Sequence, residues 1–439
     1  MRRLVVLHVR CCSANSGTTA AQLGPSGQPK SILEIHGGVL TAPSRMESMD
    51  SFNSVGRTSL LQRRSSEAGL EGAAPSKRHA AKPVTPLLFD NSLSILNRTG
   101  AWHIARDLCS EFVPEQAQVR YWRLGSRAPE GLVRKIVARL MMLEIGLLED
   151  SGRWLIGGGH HAGMRVFLDP LFVLRSDLTE GDIVLCHDVG PLTHSFLYDP
   201  ATVKNYRFAY EKIRRQRPGI VFVSDWSKGN FIALFGSDFR FLETISLYVR
   251  TGLFDGPLEA CPAVEGSFFL TVGAFETRKN QVAAIEAYRN SGFYEEGVKY
   301  VLCGPRGAGH EQIVALAKSV PGVLMPGYVP DSQLRWLYAH AEAFVLPSLL
   351  EGFGMPALEA AYMGLLPIVA EGSALVEAVQ GVCAQVPTND LEAIGQAMRS
   401  ALSRSSAEKM ETNRLLREVA SHASKDRFLQ GWRNLLLAQ

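Results

Sequence analysis

The stretch Leu346-Pro-Ser-Leu-Leu-Glu351-Gly-Phe-Gly-Met-Pro-Ala-Leu-Glu359 decides the fold. An apolar run from Ala343 to Leu346 reads as a buried strand, and it ends in a loop holding Gly352 and Gly354. Pro356 then opens a helix reading to Met363, since a proline's missing N–H has no partner in a first turn anyway. Glycines let the backbone approach a ligand closely. A helix start also aims free N–H groups and a positive dipole end above the sheet, which suits phosphate. Glu351 and Glu359 are acceptor-only carboxylates, suited to sugar hydroxyls. The bland alternative is a helix start beside two solvated acids.

Working outward, the same alternation recurs. Phe268 to Val272, Lys299 to Cys303, Val323-Leu324 and Pro367 to Ala370 read as strands. Gln281 to Ser291, Gln312 to Lys318 and Ser332 to Ala339 read as the helices between them. A second block precedes it. Val84 to Phe89, Asp182 to Cys186 and Gly219 to Val223 read as strands, with helices over Ala101–Phe112, Leu132–Glu149 and Trp226–Phe235. Pro257 to Gly266 is Pro/Gly-punctuated and reads as a linker. Two such blocks predict an α/β protein of two doubly wound, Rossmann-like domains. Ligands sit at strand ends in such folds, which draws attention to Arg278 and Lys279 after one strand and His187-Asp188 after another. Two adjacent loop cations are commonly just solvated, and a His–Asp pair can be buried without function.

Composition bounds the rest. The 439 residues are 46% hydrophobic and 20% charged, as in a folded globular chain. The net charge of +3 is too small to predict nucleic-acid binding. That surplus belongs to the start: residues 1–82 hold eleven Lys/Arg against five Asp/Glu, leaving 35 against 38 in the remainder. This Ser-, Gly- and Pro-rich leader reads as disordered or as a start codon placed too far upstream, with a transit or signal peptide as weaker readings. Seven scattered cysteines without a Cys-x-x-Cys pair suggest reduced thiols in the cytoplasm. No run of about 18 apolar residues predicts a spanning helix. Gly157-Gly-Gly-His160-His161 reads as a mobile loop rather than a metal site, and Gly304 to Gly309 lacks the Gly-Lys-Ser/Thr of a nucleoside-triphosphate loop.

The second half resembles glycosyltransferase family 4, the retaining sugar-nucleotide-dependent transferases of GT-B fold. VGAFETRKNQVAAIEAY, GYVPDSQLRWLYAHAEAFVLPSLLEGFGMPALEA and GSALVEAV carry the resemblance in the family's order, and Glu351-x7-Glu359 matches its signature. LLFDNS…RTGAWHIARDL, VLCHDVGPLTH and FVSDWSKGNF extend it more faintly to Pro86. The resemblance implies an acceptor-side domain over 83–256, a nucleotide-sugar domain over 257–423, and a C-terminal helix over 424–439 crossing back to the first domain.

It further implies roles. Lys279, with Arg278 beside it, binds the donor's pyrophosphate; Glu359 holds the ribose; Glu351 meets the donor sugar or the region by its phosphate. Gly354 and Met355 offer backbone amides, and Gly327, Tyr328 and Val329 hold the base. His187 contacts the transferred sugar, Gly100 lets the first loop pass the phosphates, and Gly273 closes the first strand of the nucleotide domain.

Two departures stand out. Ala274 replaces the arginine that many members carry after Gly273, leaving Arg278 to supply the second cation. Ser246-Leu-Tyr-Val249 replaces the usual Asn-Gly at the hinge.

The expected activity is therefore transfer of a hexose, mannose favoured, from a nucleotide-sugar such as GDP-mannose to a glycan or lipid-linked acceptor. The alternatives are an epimerase or hydrolase of the same fold, or a silent nucleotide-sugar binder. No cofactor is expected, since the nucleotide-sugar is a substrate, and the chain has no Asp-x-Asp for a metal. The helix over Leu132–Glu149, with Arg134, Lys135 and Arg139, reads as a core-packed helix with a solvated face. The sharper reading is peripheral contact with the inner face of a membrane.

Overall fold

The computed structural model describes residues 87–96, 100–113, 117–146 and 163–439. The leader expected over 1–82, the strand opening at Val84, Asn97 to Thr99 of the first loop, the helix end at Glu149 and the Gly157–His161 turn lie outside the described residues.

Two six-stranded parallel sheets form the framework. The first comprises β1 (Leu87–Asp90), β2 (Ala117–Arg120), β3 (Met164–Phe167), β4 (Ile183–Cys186), β5 (Gly219–Phe222) and β6 (Phe241–Thr244), in the order β2-β1-β3-β4-β5-β6. The second comprises β7 (Phe268–Val272), β8 (Lys299–Cys303), β9 (Val323–Gly327), β10 (Phe344–Leu346), β11 (Pro367–Ala370) and β12 (Ala384–Val386), in the order β12-β11-β10-β7-β8-β9. Helices cover both faces of such sheets, so central strands are unbroken apolar runs rather than alternating ones. Every residue of β1, β4, β5 and β11 is buried accordingly.

Each sheet reverses its direction of travel once, between β1 and β3 and between β7 and β10. There the loops leaving adjacent strands diverge to opposite faces and open a crevice. In the second sheet those loops are residues 273–280 and 347–354, which include the residues singled out in the sequence. They are fastened together: Asn280 Nδ2 donates to Pro347 O at 3.1 Å, and Leu349 N donates to Arg278 O at 2.8 Å.

Several elements escape sequence reading for local reasons. The Pro200–Gln216 helix, capped by Asp199, buries only Asn205, Ala209, Tyr210 and Ile213, too few to write an apolar stripe. The edge strands β2, β6 and β12 are partly exposed and carry polar residues. β9 runs on to Gly327, past the two residues expected.

The helix expected over Leu132–Glu149 is described as Gly131–Gly146, and its faces differ from the expectation. Val137, Met141 and Ile145 pack inward, while Leu132, Val133, Ile136, Leu140 and Leu143 are each at least 50% exposed. The sequence holds more apolar residues than one face of a 3.6-residue period accommodates, so the outer face is apolar rather than solvated. Lys135 and Arg139 border it, but Arg134 turns inward and donates from Nη1 to Ile95 O at 2.9 Å.

The chain ends on the first sheet. Phe428, Leu429 and Trp432 of the Lys425–Leu437 helix join Phe89, Leu108 and Ile183 in one apolar cluster. The Phe428 ring lies 4.9 Å from that of Tyr248, and Val249 N donates to Ala423 O at 2.9 Å. The altered hinge segment is therefore a packed joint, with Leu247, Tyr248 and Val249 buried.

Candidate functional site

A cleft of about 620 Å³ lies between the carboxyl edges of the two sheets. Every site residue taken from the sequence lines it: Gly100 and His187 from the first sheet's side, and Gly273, Arg278, Lys279, Gly327, Tyr328, Val329, Glu351, Gly354, Met355 and Glu359 from the second.

The second sheet's two switch-point loops build the charged floor. Arg278 and Lys279 sit in a 3-10 turn after β7. Lys279 Nζ lies 2.6 Å from Glu351 Oε1, and Arg278 Nη1 lies 3.0 Å from Glu351 Oε2. Arg278 Nε also pairs with Glu276 at 2.7 Å. Burial pushes the Glu351 carboxyl up, but the Arg278 and Lys279 charges outweigh it and hold it at about 2. A buried carboxylate held between two cations fixes their positions, and an incoming anion can compete for both.

Above them begins the Met355–Tyr362 helix. Gly354 caps it at φ +107°, a conformation that strains any residue with a Cβ, and Pro356 fills the first turn as expected. Glu359 hangs from this helix, 1% exposed, with Oε2 at 3.3 Å from the Tyr338 hydroxyl. Burial raises its carboxyl despite the charge of Arg250 close by.

Across the cleft, His187 Nε2 lies 3.1 Å from Leu168 O. A carbonyl only accepts, so this nitrogen carries a proton and donates it to Leu168 O. Gly352 passes so close to His187 that a Cβ there would stand 2.3 Å from the His187 carbonyl oxygen. Ser224 Oγ donates to Gly352 O at 2.5 Å, and Ser227 Oγ lies within 3.0 Å of both His187 O and Gly352 O. Glu377 reaches over to accept from Asp225 N at 2.7 Å and Trp226 N at 2.8 Å, capping a helix of the other domain. The two halves are thus clasped.

The lining holds three cations, Arg250, Arg278 and Lys279, against six carboxylates, Asp169, Asp188, Glu276, Asp331, Glu351 and Glu359. The cations form two groups, Arg278 and Lys279 on Glu351 and Arg250 on Glu359. Among the described residues no group of three or more His, Cys, Asp or Glu side chains is arranged to hold a metal ion.

Sequence reading missed Arg250, His103, Asp169 and Tyr198, which also line the cleft. Arg250 directly follows the hinge departure at Ser246–Val249, a signal that was present. Asp169 follows β3, an unread strand, so no strand end pointed to it.

Comparison with known proteins gives concordant results. The model for "Glycosyl transferases group 1" matches residues 262–416. The O-antigen chain mannosyltransferase B of Escherichia coli is 30% identical over 266 residues, covering 58% of this chain and 69% of that protein. The serotype-specific mannosyltransferase WbdA of Escherichia coli is 26% identical over 279 residues, covering 57% of this chain and 32% of its own greater length. Among solved structures, Anabaena HepE in complex with UDP and glucose superposes with TM-score 0.58 at 14% identity, over 81% of this chain and all of that one. Sucrose-phosphate synthase from Thermosynechococcus elongatus gives 0.59 at 16% identity, over the same shares of each chain.

Proposed function

The chain belongs to the group 1 glycosyl transferases and has the GT-B fold, and on that premise we propose that it moves mannose from GDP-mannose to a glycan or lipid-linked glycan acceptor with retention of anomeric configuration. One observation carries the reading: Lys279, Arg278, Glu351 and Glu359 converge with a helix N-terminus at the second sheet's switch point, facing His187. The choice of mannose draws on the mannosyltransferases among the relatives.

In this proposal the donor diphosphate sits over Lys279, Arg278 and the Gly354–Met355 amides. They stabilise the negative charge that grows as the sugar–phosphate bond breaks. Glu359 accepts from the ribose hydroxyls, Glu351 from the sugar or the region beside its phosphate, and Gly327 to Val329 hold the base. His187 meets the sugar from the acceptor side. The departing phosphate assists proton removal from the acceptor, so no side-chain nucleophile is used. Two cations and a helix end supply the positive charge, and no step is routed through a metal or other cofactor. Closure of the clasped halves excludes water and suppresses donor hydrolysis.

A panel of nucleotide sugars titrated calorimetrically tests the donor assignment. GDP-mannose is expected to bind most tightly, and Glu359→Ala to weaken it at least tenfold. Equal affinity in the variant removes the ribose assignment, and preference for another donor replaces GDP-mannose.

The lipid-linked acceptor motivates a second expectation. Among the described residues no helix is long and apolar enough to cross a membrane. The outer face of the Gly131–Gly146 helix, with Ile136 and Leu140 exposed beside Lys135 and Arg139, suits shallow contact with an anionic lipid surface. At about 1 kcal/mol per cation near such a surface, Lys135→Ala/Arg139→Ala should weaken co-sedimentation with phosphatidylglycerol vesicles roughly thirtyfold at low salt. Equal sedimentation of variant and wild type contradicts membrane contact at this face.

A further inference from the structure

The hinge sends one charged side chain into the cleft, and it touches both domains. Arg250 follows the buried run Leu247–Val249, itself fixed to the first domain by the Tyr248 hydroxyl donating to Asp107 Oδ2 at 2.6 Å. Arg250 Nε and Nη2 lie 2.7 and 2.6 Å from Glu359 Oε1. Its Nη1 lies 3.2 Å from His103 Nε2, on the Gly100–Phe112 helix of the first domain.

A guanidinium only donates, so His103 Nε2 accepts and the imidazole is neutral with its proton on Nδ1. Its environment agrees: burial, then the charges of Arg250 and Arg106, bring His103 down to about 4. His103 is thus a neutral prop, and the guanidinium's charge is left for Glu359.

Glu359 needs that charge. It is 1% exposed, and burial favours its protonated form. Around it stand Tyr338, which hydrogen-bonds Oε2, and Asp331, whose like charge also disfavours ionisation. Among the described residues Arg250 is the cation that hydrogen-bonds Glu359. A protonated Glu359 would spend one oxygen as a donor and lose part of its power to accept from a vicinal pair of hydroxyls.

We propose that Arg250 is a positioning residue for the donor: propped on His103 of the first domain, it supplies the countercharge that lets the buried Glu359 face the cleft as a carboxylate, ready to accept from the donor's vicinal hydroxyls. The inference rests on the reading of Glu359 as the ribose-binding residue. It places the countercharge on the hinge, so a movement of the hinge that withdrew Arg250 would also weaken the grip on the donor.

The test is calorimetric binding of GDP to wild type, Arg250→Met, Arg250→Lys and Glu359→Gln between pH 6 and 9, with thermal melting to confirm folding. Each affinity is read as a ratio to wild type at the same pH, which removes the titration of the phosphate itself. Arg250→Met is expected to bind at least tenfold more weakly at pH 6, with the deficit shrinking as pH rises and Glu359 ionises unaided. Arg250→Lys should recover much of the affinity at every pH. A deficit in Arg250→Met that is absent, or equal at all pH values, overturns the proposal. If Glu359→Gln binds as wild type does, the ribose reading itself has failed. If Glu359→Gln is weak while Arg250→Met is normal, the positioning role alone has failed.

Discussion

Lys279→Ala is expected to lower kcat/KM for the donor by about a hundred- to a thousandfold, the usual effect of losing one fixed charge-stabilising group at a departing anion. Lys279 is only 5% exposed, and its ammonium lies 2.6 Å from Glu351, so it is held in place before the donor arrives. Neither of the other two lining cations replaces it, because Arg278 divides its guanidinium between Glu276 and Glu351 and Arg250 is paired with Glu359.

The same substitution leaves Glu351 buried with one cation instead of two. Breaking a buried pair by removing one partner costs about 3–5 kcal/mol, so rates must be expressed per folded molecule, checked by circular dichroism. The linkage has a definite sign. Glu351 is held at about 2, below its ordinary 4.5. Its pairing therefore stabilises the fold above about pH 4.5 and loses that contribution as pH falls toward 2. Glu351→Gln separates binding from chemistry. It frees Lys279 and the Nη1 side of Arg278 for phosphate and should leave GDP binding intact while slowing transfer. Unchanged donor kinetics in folded Lys279→Ala would remove the diphosphate assignment.

The second large effect is steric. Gly352→Ala places a Cβ 2.3 Å from the backbone oxygen of His187 in the opposite domain, far inside contact distance. Neither backbone is a flexible side-chain end that can swing aside, so the halves must part at this point. Parting them also takes Gly352 O from Ser224 and Ser227. A misplacement of about 1 Å at a reacting centre costs roughly a hundredfold, and kcat should fall at least that far. Small-angle scattering should show a larger radius of gyration, with the melting of each domain retained. A variant with wild-type rate and radius contradicts the view that the clasped arrangement is the working one.

The parts of this fold legible in the sequence are those whose signals are local. Phe268–Val272 and Pro367–Ala370 are unbroken apolar runs and emerge as β7 and β11 with the bounds read from them. Glu351 and Glu359 lie in one continuous strand–loop–helix stretch. The departure at Ser246–Val249 pointed to the segment before Arg250 but not to its role, because its partner lies 109 residues away and only the closed cleft brings them together. Asp169 and Tyr206, hydrogen-bonded at 3.0 Å, belong to an unread strand end and an unread helix. The Gly131–Gly146 helix shows the opposite failure. Its apolar residues announced a helix correctly, but their number exceeds what the core takes, and a sequence pattern does not say which side remains outside.

The proposed activity is transfer of a hexose from a nucleotide-sugar with retention of configuration. The most direct measurement incubates the full chain with GDP-α-mannose and a mannose-terminated acceptor, and reads the new anomeric carbon by NMR while GDP release is followed. The prediction is an α-linked product formed in step with GDP. A β-linked product, or GDP released without transfer, would contradict it.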